Sequence, residues 1–203
     1  MIKLYADGSV HPGNPGPGGW GSVIVYPSGQ VAQHCGYSGP KVTNNHCELT
    51  AVLEGLRRID PATPVEIYTD SMYVINPFNK GWLANWQKNN WKTASKNTEV
   101  ANKALWVELA SLVKGRTLTW HWVKGHNGDV YNEMADKLAY LAAELAPHQY
   151  SNKCILDPDI NSEQSLQRIK DFDEWNKKNN YKRSQISTEE FIEKIRAIKL
   201  KNI

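Results

Sequence analysis

Three acidic residues fall where a folded chain can gather carboxylates. Asp7 follows the alternating run Ile2 to Ala6, Asp70 follows the alternating run Val65 to Thr69, and Glu48 lies between them. Carboxylates brought within a few ångströms repel one another unless a cation sits among them. Oxygen-only ligands select hard ions, and magnesium takes one or two carboxylates together with water and phosphate oxygens. Two such ions about 3.5 to 4 Å apart serve phosphodiester chemistry, one activating the attacking water and the other steadying the departing oxygen. Each residue alone has a plainer reading, Asp7 and Asp70 as turn residues and Glu48 as a solvated helix residue. Their joint placement is what points to a metal site.

That placement depends on a strand, crossover helix, strand unit. Ile2, Leu4 and Ala6 alternate with Lys3, Tyr5 and Asp7, which predicts a half-buried strand ending at Gly8. Gly13 to Gly19 predicts a loop, Trp20 to Tyr26 a second strand, Pro27-Ser28-Gly29 a turn, and Val31 to Tyr37 a third strand of an antiparallel meander. From Thr43 a helix is predicted, with Leu49, Val52, Leu53 and Leu56 on one face and Pro61 and Pro64 beyond its end. Val65, Ile67 and Thr69 make a fourth strand, parallel to the first because a helix crosses between them. Asp7 and Asp70 then emerge at one edge of the sheet, where ligand sites of open α/β sheets gather.

After a short helical stretch from Ser71, Gly81 to Lys103 is polar and tryptophan-rich, and a further helix runs to about Lys114. Thr117 to Val123 is a fifth strand, and Lys124 to Gly128 a loop. Asp129 caps a last helix whose stripe is Ala135, Leu138, Leu141, Ala142 and Leu145, and Pro147 ends it. Beyond Pro147 apolar residues thin out, which places a domain boundary there: residues 1–146, then an extension over 147–203 that is mostly helical. Ser187 and Glu190 resemble a capping box for a final helix carrying Phe191, Ile195 and Ile198.

Composition narrows the class. Hydrophobic residues at 40% and charged residues at 22% fit a globular chain and exclude a wholly disordered one. Cys35, Cys47 and Cys154 include no Cys-x-x-Cys pair, so reduced thiols are expected rather than zinc or a disulfide framework. No apolar run approaches the roughly 18 residues that span a bilayer, and Met1 to Asp7 does not read as a signal sequence. A cytoplasmic monomer without membrane contact is expected. A net charge of +3 is too small to argue for a polyanionic partner by itself, so the distribution of charge matters more.

Six segments in order resemble the type 1 ribonuclease H family between Ile2 and Leu145: YADGS around Asp7, GNPGPGGWG over Gly13 to Gly21, TNNHCELTA around Glu48, YTDSMYV around Asp70, WVKGH ending at His126, and NEMADKLA around Asp136. The resemblance implies a three-layer α/β fold with a five-stranded mixed sheet, three antiparallel N-terminal strands and then two parallel, flanked by helices. It implies hydrolysis of the RNA strand of RNA/DNA hybrids to 3′-hydroxyl and 5′-phosphate ends. It also implies Asp7, Glu48, Asp70 and Asp136 as the metal-binding set, two Mg2+ ions per site with substrate, and Mn2+ as a substitute. His126 is implied in proton transfer or water handling near the leaving group, for which an ordinary imidazole pKa near 6.5 is suited. On residue type alone, Asp136 needs only the helix dipole to explain it, and a loop histidine is more often merely surface.

A nuclease acting on hybrids must sense 2′-hydroxyls on one strand only, which calls for short polar groups and backbone amides. By resemblance Asn14, Asn44 and Asn45 contact the minor groove, and Thr43 and Asn102 hold a DNA phosphate; turn and cap chemistry would account for the same residues. Lys80 to Lys103 holds five lysines and one acid interleaved with Trp82, Trp86 and Trp91, like the family's basic handle, with Trp82, Lys88 and Lys92 facing the substrate. Trp82 and Trp86, four apart, serve packing equally well. Gln87, Asn89, Asn90 and Asn97 make this handle less basic than many bacterial members, Val10-His11-Pro12 lengthens the loop after Asp7, and Met72 replaces a glutamine. A non-catalytic hybrid-binding module would predict loss of an acidic ligand, and a transposase or integrase on the same fold would act on DNA instead. The extension lies outside the resemblance, and packing on the domain, contact with nucleic acid and contact with a protein partner are all open to it.

Overall fold

The computed structural model describes residues 1–95 and 97–149. The expected helix beginning at Ser187 lies outside the described residues. Five strands, β1 (Ile2–Val10), β2 (Gly16–Val25), β3 (Val31–Val42), β4 (Val65–Thr69) and β5 (Leu118–Trp122), form one sheet in the order β3-β2-β1-β4-β5. The β1/β2 and β2/β3 pairs are antiparallel, and the β1/β4 and β4/β5 pairs are parallel. Helices α1 (Asn44–Arg57), α2 (Met72–Asn79), α3 (Trp82–Lys88), α4 (Lys103–Val113) and α5 (Val130–Gln149) complete the described chain. This is the mixed five-stranded sheet with flanking helices that the sequence predicts.

Two cores hold the layers together. Leu4, Ile24 and Ile67 of the sheet bury themselves with Leu49, Val52, Leu53 and Leu56 of α1 and with Trp106 and Leu109 of α4. On the other face Tyr5, Val23 and Cys35 meet Met134, Ala135, Leu138 and Leu141 of α5. Each fully buried aliphatic side chain contributes roughly 1.5 to 3 kcal/mol. Alternation along β1 assigns Leu4 to one core and Tyr5 to the other.

Glycines let both helices sit close on the sheet. A Cβ on Gly8 would fall under 3.0 Å from the Glu48 nitrogen and the Cys47 carbonyl carbon, and one on Gly21 equally close to the Ala135 carbonyl oxygen. Backbone atoms cannot move aside as a side-chain tip can, so α1 and α5 depend on those glycines for their seats.

Several predicted boundaries differ from the structure, β3 among them, which runs to Val42 rather than ending at Tyr37. Gly16 to Gly19 belong to β2 rather than to a loop, because pairing of Gly18 with Val10 and Gly19 with Ser9 outweighs the poor strand preference of glycine. β1 consequently continues through Val10, and Asp7 lies inside that strand rather than at its end. Helix α5 runs through Gln149, past Pro147; proline's fixed φ is compatible with a helix, and in the last turn its missing N–H removes one hydrogen bond. Helix α3 is an element that the sequence does not predict, since Leu83 is its single buried residue and seven residues show no periodicity.

Candidate active site

The parallel register builds the acidic edge. Tyr5 of β1 pairs with Tyr68 of β4, the last such pair, and two residues farther along each chain stand Asp7 and Asp70. The close seat of α1 on Gly8 carries Glu48 to the same place. Carboxylate oxygens of Asp7, Glu48 and Asp70 all lie within 4.8 Å of one another. Asp7 is 6% exposed, and its Oδ1 accepts a hydrogen bond from the Gly8 N–H at 2.7 Å. Three carboxylates so placed form an oxygen-only donor set that suits a hard divalent cation.

Asp136 is supplied by α5. It follows Ala135, whose carbonyl oxygen abuts Gly21, and Gly21 is the β2 partner of Asp7. Asp136 is 6% exposed, and its Oδ2 lies 3.8 Å from His126 Nδ1. The N-terminus of α5 is fixed by Asp129, whose Oδ1 accepts from the Tyr131 and Asn132 N–H groups at 3.1 Å each, and by Glu133, which accepts from Gly128 N–H at 2.8 Å. His126 has φ +52°, a left-handed conformation that histidine tolerates better than most residues, and its side chain is half-exposed.

The residues expected to read substrate split into two groups. Around the start of α1, Thr43 caps the helix by accepting from His46 N–H at 3.3 Å, and Asn14 Oδ1 accepts from Asn44 N–H at 3.3 Å, so the turn after β1 is tied to the helix. Asn45 is exposed beside them. Asn102, in a left-handed conformation before α4, is hydrogen-bonded to the His46 side chain and donates from Nδ2 to the Tyr73 hydroxyl at 3.2 Å. The structure thus brings Asn14, Thr43, Asn44 and Asn102 to one end of α1. Burial lowers the His46 pKa from its ordinary 6.5, and the Asn102 hydrogen bond opposes that shift.

The second group is the handle. Trp82 is 41% exposed with the Lys80 ammonium 5.3 Å from its ring centroid, whereas Trp86 packs edge-on against the buried Trp106 at 5.3 Å. The two tryptophans therefore differ: Trp86 packs, and Trp82, the one expected to face substrate, points outward. Lys88 and Lys92 are exposed, and Lys103 is paired with Glu99 at 2.7 Å.

Sequence reasoning passes over three residues that border the site: His46, Trp122 and Gly125. Trp122 Nε1 donates to the Asp70 carbonyl at 3.1 Å. A Cβ on Gly125 would fall under 3.0 Å from Asp70 Oδ2. Nothing in residue type marks them: Trp122 and Gly125 matter through the atoms that β5 and the loop after it bring near Asp70, and His46 through its hydrogen bond to Asn102.

Residues 1–144 match the family model described as RNase H. A ribonuclease H of Chlorobium luteolum is 45% identical over 146 residues, covering 72% of this chain and 97% of that protein. One of Ehrlichia ruminantium is 44% identical over 138 residues, covering 68% and 91%. Among solved structures, LC9-RNase H1, described as a type 1 RNase H with the type 2 active-site motif, superposes with a TM-score of 0.64 at 27% identity, covering 82% of this chain and 83% of that one. With the acidic edge formed by residues inside the matched span, the chain belongs to the ribonuclease H family of enzymes.

Proposed function

We propose that this enzyme hydrolyses the RNA strand of RNA/DNA hybrids to 3′-hydroxyl and 5′-phosphate ends, with Asp7, Glu48, Asp70 and Asp136 holding its divalent cations. The observation that carries this reading is the convergence of Asp7, Glu48 and Asp70 oxygens within 4.8 Å at the carboxyl edge of the parallel strands. Carboxylate-only donors favour Mg2+, with Mn2+ as a substitute and two ions in the presence of substrate. Bound there, the cations neutralise the phosphodiester and supply Lewis acidity for in-line displacement at phosphorus.

The remaining work falls to the chain. Asp136 Oδ2 faces His126 Nδ1 and orients the imidazole, which leaves Nε2 to exchange a proton with the departing O3′. Asn14, Asn44 and Asn45 line the approach to the minor groove, and Thr43 and Asn102 approach a DNA phosphate. Trp82, Lys88 and Lys92 present the outer surface of the handle to the DNA strand. Among the described residues no helix is long and apolar enough to cross a membrane. A cytoplasmic monomer is part of the same proposal.

The test is cleavage of a strand-labelled hybrid by wild type and Asp70→Asn, with Mg2+ and with chelator. RNA-strand cleavage that requires the ion and falls on the order of 10²-fold or more in the variant is expected. Wild type that binds the hybrid and leaves both strands intact would replace the enzyme reading with that of a binding module.

A further inference from the structure

Asp70 is gripped from the β5 side by contacts that cation binding does not by itself demand. Trp122 Nε1–H is bonded to the Asp70 carbonyl at 3.1 Å, and Val123 N–H to the Thr69 carbonyl at 3.1 Å. Past them the chain turns so that Gly125 lies directly on the Asp70 carboxylate, with room there for a hydrogen but not a methyl group. Gly125 is not among the glycines with positive φ, so its requirement is steric rather than conformational. Trp122 is 53% exposed, so core packing does not explain how its indole is held.

We propose that Trp122 and Gly125 are positioning residues for Asp70: the indole fixes the backbone of Asp70, and the bare Cα of Gly125 sets where its carboxylate can lie. The proposal rests on the reading of Asp70 as a cation ligand. Its consequence is that one loop governs two parts of the site. His126 directly follows Gly125, so the imidazole and the Asp70 carboxylate take their positions from the same turn of chain. Groups that orient a metal ligand from outside the coordination sphere typically change metal affinity or activity by roughly 10- to 100-fold when removed. A methyl at Gly125 forces the carboxylate aside, because the carboxylate is the atom group in its way and β5 holds the backbone behind it.

The experiment uses the full chain as wild type, Gly125→Ala, Trp122→Phe, Asn127→Ala and Asp70→Asn. Mn2+ is titrated into the substrate-free protein and followed by electron paramagnetic resonance of the unbound ion, kcat and KM are measured on a hybrid, and thermal unfolding reports the fold. Gly125→Ala is expected to weaken Mn2+ binding and lower kcat by about tenfold or more, with KM changed by less than about twofold. Trp122→Phe keeps the ring and loses one hydrogen bond, for an expected loss of about fivefold in the same two readouts. Asn127→Ala, an exposed change in the same loop, is expected to alter neither.

Folded Gly125→Ala and Trp122→Phe proteins with wild-type Mn2+ affinity and kcat would overturn the proposal, as would a loss confined to KM, which marks a substrate contact. If Gly125→Ala does not fold, Trp122→Phe decides alone by the same criteria. Asp70→Asn separates the two ideas. Retained Mn2+ binding and cleavage in that variant would sink the ligand reading itself, whereas their loss beside unaffected Trp122 and Gly125 variants would sink only the positioning role.

Discussion

His46 shows how a side chain outside the acidic cluster can leave a measurable trace. It joins the first turn of α1 to Asn102 ahead of α4, and burial lowers its pKa despite the opposing hydrogen bond. The unfolded chain therefore binds a proton at this site more readily than the folded one. Its contribution to stability is full above pH 6.5 and is lost as pH falls from there toward the lowered folded value. Unfolding midpoints measured from pH 7.5 down to 5 should fall less steeply for His46→Asn than for wild type. A different outcome is expected at His126, which is half-exposed and contributes little packing. His126→Ala should lower kcat by about 10²-fold with KM and Mn2+ affinity nearly unchanged, as steady-state cleavage and ion titration would show. Equal losses in ion affinity would instead make His126 part of the cation site.

At the scale of elements, α3 illustrates a division of labour along one short helix. Trp86 anchors it through edge contact with Trp106, while Trp82 stands 41% exposed with Lys80 over its ring. Trp86→Ala should destabilise the protein by about 3 kcal/mol in chemical denaturation, since it empties a large aromatic volume beside the core. Trp82→Ala should cost less than about 1 kcal/mol in the same measurement and should raise KM for the hybrid. The reverse pattern would exchange the roles of the two residues. The 3.6-residue period marks α1, where Leu49, Val52, Leu53 and Leu56 are buried on one face. It cannot mark α3, where two aromatic residues four apart have opposite fates because α4 covers only one of them.

For the whole molecule, charge distribution matters more than total charge. A net charge of +3 exerts little general pull on nucleic acid, but Lys88 and Lys92 are both exposed in the handle. If both contact phosphates, the slope of log affinity for a hybrid against log salt should flatten by about 0.9 for each lysine replaced by alanine. A slope unchanged in both variants would move the phosphate contacts elsewhere. Glu99 already neutralises Lys103 at 2.7 Å, so Lys103→Ala is expected to alter that slope less.

The sequence by itself determined the strands and helices with clear periods, the parallel relation of β1 and β4, and the family, because alternation, crossover length and ordered motifs are local properties of a chain. It also placed Asp7 and Asp70 together, since parallel strands carry residues equally far along them side by side, even though β1 itself continues past Asp7. Only the tertiary structure decided that Gly16 to Gly19 extend β2, that Trp86 packs while Trp82 faces outward, and that Asp136 stands beside His126. It alone revealed Gly125 against the Asp70 carboxylate. The physical reason is common to all four. Each depends on the distance between atoms far apart in the chain, and residue type and spacing constrain that distance only after neighbouring elements have packed.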